Sequence, residues 1–343
     1  MSTRRLMRRR MIEMCAIFGL IDYKNHFSMW QREKILKVLS RECEVRGKDA
    51  TGFAYVYRGE MSIYKRPEPA SRLHLRLPLG TTTILGHTRM ATQGDKSQNY
   101  NNHPFFGKCG ETAFALAHNG VLYNDKRLRT ELNLPKTNIE TDSYIAVQLL
   151  EQHETLDLKS VAKMAEQVEG SFVFTILDAA RNLYFVKGDN PLALYHFRQQ
   201  GFYIYASTDA ILCTALGKLG LLCSPFEEVL VDLGDIVKID EFGQIERGEF
   251  DISHYTDWDY RYLFNYHPRW WNEPSDEKSV EDSAEIRQLK LFASQIGVAA
   301  EHIDLLHEYG YSEDEIEEMI YVPNALQCAI DEILCEYAYC GDW

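Results

Sequence analysis

Hydrophobic and polar positions follow two rhythms along this chain of 343 residues. Residues 15–23, CAIFGLIDY, form a short apolar run suited to a buried strand. Residues 29–43 change to helical spacing, with Trp30, Ile35, Leu36, Leu39 and Cys43 on the apolar positions. A turn-rich loop, RGKDATG, occupies 46–52, and FAYVYRGEMSIY reads as a strand pair turning at Arg58-Gly59-Glu60. The run TTTILGHTRM (81–90) is strand-like and ends in a polar loop, 91–103. Phe114 to His118 reads as a buried strand closing on Asn119-Gly120, a dipeptide that is the strongest short hairpin signal. Thr141 to Gln152 is predicted helical, with Ile145, Val147, Leu149 and Leu150 among its apolar positions. From Gly170 strands dominate: SFVFTILD, LYFVKG, ALYHF, FYIYAS and EVLVDLGDIVKID. Helices towards both ends of this body, with strands between, predict an α+β layered architecture.

After about residue 250 the pattern changes. Residues 255–271 are crowded with Tyr, Trp and Phe, and 280–337 read as helical, with Ser312 and Glu315 spaced as a capping box ahead of Ile316, Met319 and Ile320. Charge follows the same division. Residues 1–14 carry net +4, residues 251–343 carry net −16, and the body 15–250 is left at −2, for a chain total of −14. The acidic balance disfavours nucleic acid as a partner, and the aromatic stretch, with acidic neighbours, reads as a packed linker rather than a base-stacking platform. No apolar run approaches the length of a membrane span. The basic head has no apolar segment behind it before Glu13, so it is not a secretory signal. The eight cysteines include no CxxC pair, which reads as a cytoplasmic protein with reduced thiols. Cys328, Cys335 and Cys340, with His302 and His307 upstream, lack the short-pair spacing of a zinc site, so no metal is expected.

Cys15 carries the first chemical suggestion. Taken alone, a cysteine at a strand start is a core thiol. Cys15 directly follows Met14, however. Translation from Met14 with methionine removal, or proteolysis of 1–14, would leave Cys15 at the amino terminus. A terminal cysteine holds a thiol and an amine in one residue, and an amine of pKa about 7.7–8.0 can act as base for its own thiol.

Six short motifs then occur in order: CAIFGLI, RGKDATG, GHTRMATQG, NNHPF, HNGVLYN and ETDS. Together with EGSFVFTILD, LYFVKGDNPL, YIYASTDA and LVDLGDIV they resemble a class II glutamine amidotransferase domain over Cys15 to about Phe250. The glutaminase domains of glucosamine-6-phosphate synthase and amidophosphoribosyltransferase are the similar ones. The resemblance implies the four-layer αββα sandwich of N-terminal-nucleophile hydrolases, here with a small acidic helical C-terminal appendage. The implied division is 1–14 as a pro-segment or mis-called start, 15–250 as the amidotransferase domain, 251–279 as an aromatic-rich linker and 280–343 as the acidic helical region.

The resemblance also implies roles. Cys15 is the nucleophile, and Asn119 and Gly120 form the oxyanion hole, donors aimed at the charge of a tetrahedral intermediate. Arg89 holds the substrate carboxylate, for which a guanidinium fork is suited. Asp142 holds the substrate ammonium, a role compatible with capping the helix that follows. Thr92 and Gln93 belong to the substrate loop and Arg46 and Gly47 support it; His103 also matches a family motif position but reads equally as a satisfied structural histidine, and no proton-transfer role is assigned to it. Met90 stands where the synthase relatives commonly carry tryptophan, and Gln93 where they carry histidine. The implied substrate is L-glutamine, with no cofactor. The relatives continue into a synthase domain that uses the ammonia, and the 93 residues after 250 resemble none. Three functions therefore stay open: a glutaminase subunit serving a synthase on another chain through 251–343, a free-standing glutamine hydrolase or amide-transfer enzyme, and a non-catalytic glutamine-binding module with Cys15 capped. The oligomeric state is left open.

Overall fold

The computed structural model describes residues 15–253, and beyond them 286, 289, 290, 293, 298, 300–308, 311–313, 316, 317 and 319. These fall into two compact units, the second comprising the described positions from 286 onward. The first unit contains thirteen strands: β1 (Ala16–Ile21), β2 (Ala50–Tyr57), β3 (Glu60–Arg66), β4 (Thr83–Arg89), β5 (Phe105–Cys109), β6 (Thr112–Leu122), β7 (Gly170–Asp178), β8 (Leu183–Lys187), β9 (Ala193–Phe197), β10 (Phe202–Ala206), β11 (Glu227–Glu228), β12 (Asp235–Ile239) and β13 (Ile245–Glu249). Its helices are α1 (Met29–Glu42), α2 (Asp125–Glu131), α3 (Tyr144–Leu150), α4 (Leu158–Gln167) and α5 (Asp209–Leu219). The strands form two antiparallel sheets, ordered β11-β9-β10-β1-β4-β2-β3 and β13-β12-β8-β7-β6-β5.

Strand alternation builds four layers. In β1, Ala16, Phe18 and Leu20 face an outer core shared with Ile35, Leu36 and Leu39 of α1 and Leu212 and Leu216 of α5. Ile17 and Ile21 face the other way, into a core between the sheets with Ala115, Ala117, Val173 and Phe185. In β6, Phe114 and Leu116 meet Ile145 and Leu149 of α3 and Val161 and Met164 of α4 on the far side of the second sheet. A strand buried on both faces needs apolar residues at both parities, which is why these segments read as continuous apolar runs. The result is an α+β fold of two stacked sheets with helices outside each.

Several elements differ from the sequence reading. The hairpin turns at Arg58 and Gly59, both at positive φ, and Glu60 already pairs with Tyr57. β6 does not close at Asn119-Gly120. It runs on to Leu122, with Asn119 opposite Val173 and Gly120 opposite Phe172, so tertiary pairing overrides the local turn signal. The run at 228–240 is broken, with Gly234 at φ +95° between β11 and β12. The predicted helix 141–152 is the shorter α3, and β5, β13, α2, α4 and α5 are additional.

In the second unit, the helix α6 (Ala300–Glu308) supplies Ile303 and Leu306 to a small core with Ile286, Leu289, Ala293 and Ile316. Lys290 pairs with Asp304 at 2.6 Å. The head 1–14, the stretch 254–279, Glu315 of the expected capping box, Cys328, Cys335 and Cys340 lie outside the described residues. Among the described residues no helix is long and apolar enough to cross a membrane, and no group of three or more His, Cys, Asp or Glu is arranged to hold a metal.

Candidate active site

Cys15 lies at the entry to β1, partly buried, against the end of β4. Its thiol accepts the Met90 N–H at 3.4 Å and donates to the Met90 carbonyl at 3.5 Å. Arg46 Nε donates to the Cys15 carbonyl at 3.1 Å, so the backbone of Cys15 is held independently of its side chain. Burial pushes the thiol up to about 11, against the lowering influence of the Met90 backbone and of the Arg89 and Arg46 charges. At neutral pH this sulfur holds its proton and needs a base to become a nucleophile. The loop carrying Arg46 is pressed onto β4. A Cβ at Gly47 would stand 2.5 Å from the Arg89 carbonyl carbon and 2.7 Å from Met90 N, so glycine allows that close approach.

Arg89 ends β4 and is 2% exposed. Its guanidinium donates to Asn102 Oδ1 at 2.7 Å, to the Gly94 carbonyl at 3.3 Å and to the Gln93 carbonyl. The loop after β4 is thus folded around the arginine. A second anchor is Asp49, whose carboxylate accepts the Ala91 N–H at 2.9 Å and Lys96 Nζ at 2.6 Å. Of the loop residues singled out from sequence, Gln93 contributes its carbonyl to this arrangement, while Thr92 is exposed.

Asn119 and Gly120 approach from the second sheet. Asn190 Nδ2 donates to the Asn119 carbonyl at 3.0 Å. Carbonyl and N–H of one trans peptide point in opposite directions, so the Gly120 N–H is directed away from Asn190. The pairing register agrees. Phe172, opposite Gly120, gives its carbonyl to the Gly188 N–H and its own N–H to Asp189, both on its far side. The Gly120 N–H therefore faces the side of β6 where β5 pairing has ended at Leu116. A Cβ at Gly120, which sits at φ +144°, would fall on the Ser171 carbonyl oxygen.

Asp142 occupies that open side. Its Oδ2 accepts the Leu122 N–H at 2.6 Å. It does not cap α3: the residue before that helix is Ser143, and neither side chain caps it. Leu122 and Gly120 are two residues apart on one strand, so their N–H groups project to the same side about 7 Å apart. Cys15, Arg89 and Asp142 feel one another's charge, which brings thiol, cation and carboxylate into one neighbourhood. Arg46 also acts on the thiol and Asp49 on Arg89, so the neighbourhood is charged with both signs, beside the directed N–H of Gly120.

Behind it lie three buried histidines. His87 Nε2 meets the His118 carbonyl at 3.0 Å, His118 Nδ1 meets Ser143 Oγ at 2.8 Å, and the His87 and His103 rings pack with centroids 4.2 Å apart, tilted by 32°. Burial holds His87 down to about 3 and His103 well below the ordinary histidine range. They are neutral packing groups at physiological pH.

Ser207, Asn190, Asn102 and Asp49 were not singled out from sequence. Each is a polar residue at the end of a strand or in a connecting loop, and that position is the signal available for such residues. A groove of about 460 Å³ lies elsewhere, lined by residues including Trp30, Lys34, Phe53 and His74, none of them in this site.

The two stacked antiparallel sheets with helices outside them agree with comparisons to known proteins. Residues 87–214 match the family model described as a glutamine amidotransferase domain. The glutamine–fructose-6-phosphate aminotransferase of Sulfolobus acidocaldarius is 28% identical over 255 residues, covering 70% of this chain and 42% of that protein. The enzyme of the same name from Chlamydia trachomatis is 31% identical over 190 residues, covering 53% and 30%. Among solved structures, the glutamine phosphoribosylpyrophosphate amidotransferase of B. subtilis superposes with a TM-score of 0.54 at 19% identity, over 70% of this chain and 50% of that one. An allosteric regulatory enzyme of purine biosynthesis gives 0.56 at 17% identity, over 83% and 58%. The likeness to both solved structures is one of fold. This chain contains a stretch matching the glutamine amidotransferase domain, similar in sequence to the glutamine–fructose-6-phosphate aminotransferases. It spans less than half the length of those curated relatives.

Proposed function

We propose that this chain hydrolyses the side-chain amide of L-glutamine through Cys15 and passes the ammonia to an acceptor. The observation that carries this reading is the shared neighbourhood of the Cys15 thiol, the Arg89 cation and the Asp142 carboxylate, beside the outward N–H of Gly120. Glutamine is a zwitterion with an amide at its far end. Arg89 receives its α-carboxylate and Asp142 its α-ammonium, while Gly47 and Arg46 keep the loop around Arg89 and the backbone of Cys15 in place. Thr92 and Gln93 belong to the loop over the bound amino acid.

The reaction begins with Cys15 as the first residue. Its free amine takes the thiol proton, and the thiolate attacks the amide carbon. The oxygen of the tetrahedral intermediate accepts hydrogen bonds from the Gly120 N–H and the Asn119 side chain. The amine returns the proton to the leaving nitrogen, ammonia departs, and a γ-glutamyl thioester remains. Water attacks the thioester, releasing glutamate and the thiol. An amide nitrogen at Cys15 has no basicity for the first step, so residues 1–14 must be absent from the active form.

The acidic segment 251–343 is a docking element for a synthase on another chain in this reading. Its support is the charge contrast with the nearly neutral body. A glutamate-release assay on the wild type and Cys15→Ala tests the chemistry: release abolished with glutamine binding retained is expected, and release at the wild-type rate refutes it. Recovery of a synthase with the full chain, lost on truncation after residue 250, tests the docking role.

A further inference from the structure

Ser207 follows β10 and is fully buried between the sheets. Its hydroxyl accepts the Ile17 N–H at 2.8 Å and the Asn119 Nδ2–H at 3.3 Å, and lies 3.4 Å from the Ile17 carbonyl, to which it donates. A serine hydroxyl has one proton to give and two lone pairs to fill. All three are used here. Because the proton is committed to Ile17, the oxygen can only accept from Asn119. In this arrangement the Asn119 side chain turns its NH₂ group towards Ser207.

The consequence reaches the reacting centre. Ile17 is two residues from Cys15 on β1, and Asn119 stands on β6 of the other sheet. Ser207 is a single-atom bridge between them. One Asn119 Nδ2–H is held by Ser207, and the second is left to donate elsewhere. The Asn119 carbonyl side is fixed from the backbone by Asn190. Its Oδ1 is buried without a partner among the described residues, so the amide orientation rests on the Nδ2 contact.

We infer that Ser207 is a positioning residue: it fixes the rotation of the Asn119 amide relative to the strand that carries the nucleophile, so that the free N–H meets the developing oxyanion. This rests on the proposed glutaminase reading. The loss expected from Ser207→Ala is in turnover, not in glutamine affinity, because neither Arg89 nor Asp142 touches it.

Four forms processed to begin at Cys15 decide the matter: wild type, Ser207→Ala, Asn119→Ala and the double variant, with glutamate release as readout. Glutamine binding is measured for each in a Cys15→Ala background. Losing an oxyanion donor slows turnover by about 10²–10³-fold. Ser207→Ala is expected to lower kcat at least tenfold with the dissociation constant for glutamine unchanged. The double variant should be no more than about twofold slower than Asn119→Ala, because the serine acts through the asparagine. A loss that multiplies with that of Asn119→Ala, or one confined to glutamine affinity, would overturn the inference. Ser207→Cys, close in size but a weak hydrogen-bonding group, guards against a folding defect: it should keep the fold and still lose turnover, and full turnover would also overturn the inference. Full activity in Asn119→Ala would instead refute the oxyanion reading itself.

Discussion

The Asp142 carboxylate accepts the backbone N–H of Leu122 at 2.6 Å, on the side of β6 where pairing with β5 has ended at Leu116. One oxygen thus completes the strand edge, and the other, 3.5 Å from Ser143 Oγ, stays near the entrance to α3. Asp142→Asn keeps an acceptor for Leu122 but removes the charge. A hydrogen bond to a charged group contributes about 1.5–3 kcal/mol. Glutamine affinity, measured calorimetrically in a Cys15→Ala background, is expected to fall by about 10–100-fold with the melting temperature nearly unchanged. Unaltered affinity would remove Asp142 from the binding role.

The Asp49 carboxylate is predicted to control the loop after Arg89. Asp49→Ala frees the Ala91 N–H and Lys96 together. The Michaelis constant for glutamine should rise several-fold, and limited proteolysis should begin to cut between residues 91 and 98. Wild-type protease resistance in this variant would show that Arg89 alone holds the loop.

Much of this was legible in the sequence, and the exceptions have physical causes. The strand runs around Ala16, Thr83 and Phe172 were legible because burial on both faces demands unbroken apolar residues. β5 was missed because it is an edge strand of five residues with Phe106 and Lys108 outward. Asn119-Gly120 read locally as a turn, yet pairing with β7 straightens it, and Gly120 serves the close approach of the Ser171 carbonyl instead. The resemblance supplied Cys15, Arg89 and Asp142. It assigned no role to Ser207 or Asn190, although both lie in motifs that carry it, because their contacts join segments far apart in the chain, with 88 residues separating Ser207 from Asn119.

Gly120→Ala tests the continuous strand. The added methyl would fall on a backbone oxygen at a φ that L-residues rarely adopt. Loss of soluble folded protein, or a large drop in melting temperature, is expected. A neutral result would mean that β6 does not follow this register beyond His118.

The buried histidines predict acid sensitivity. His87 is held down to about 3, and His103 and His118 are also lowered, all by burial first. A lowered histidine contributes stability that is present above its unfolded pKa, about 6.5, and lost as pH falls towards the folded value. At pH 5 the His87 shift alone costs about 2 kcal/mol relative to pH 7.5. Urea midpoints should drop between those pH values, and the drop should shrink in His87→Gln. Equal midpoints would contradict neutral burial of these rings.

The central claim is that the thiol of Cys15, pushed up by burial, depends on the amine of the same residue. The direct measurement is glutamate release from two purified forms, one beginning at Cys15 and one retaining residues 1–14, each verified by intact mass. The account predicts turnover in the first, falling as pH drops through the amine range near 7.7–8.0, and none in the second. Equal turnover with residues 1–14 still attached would contradict it.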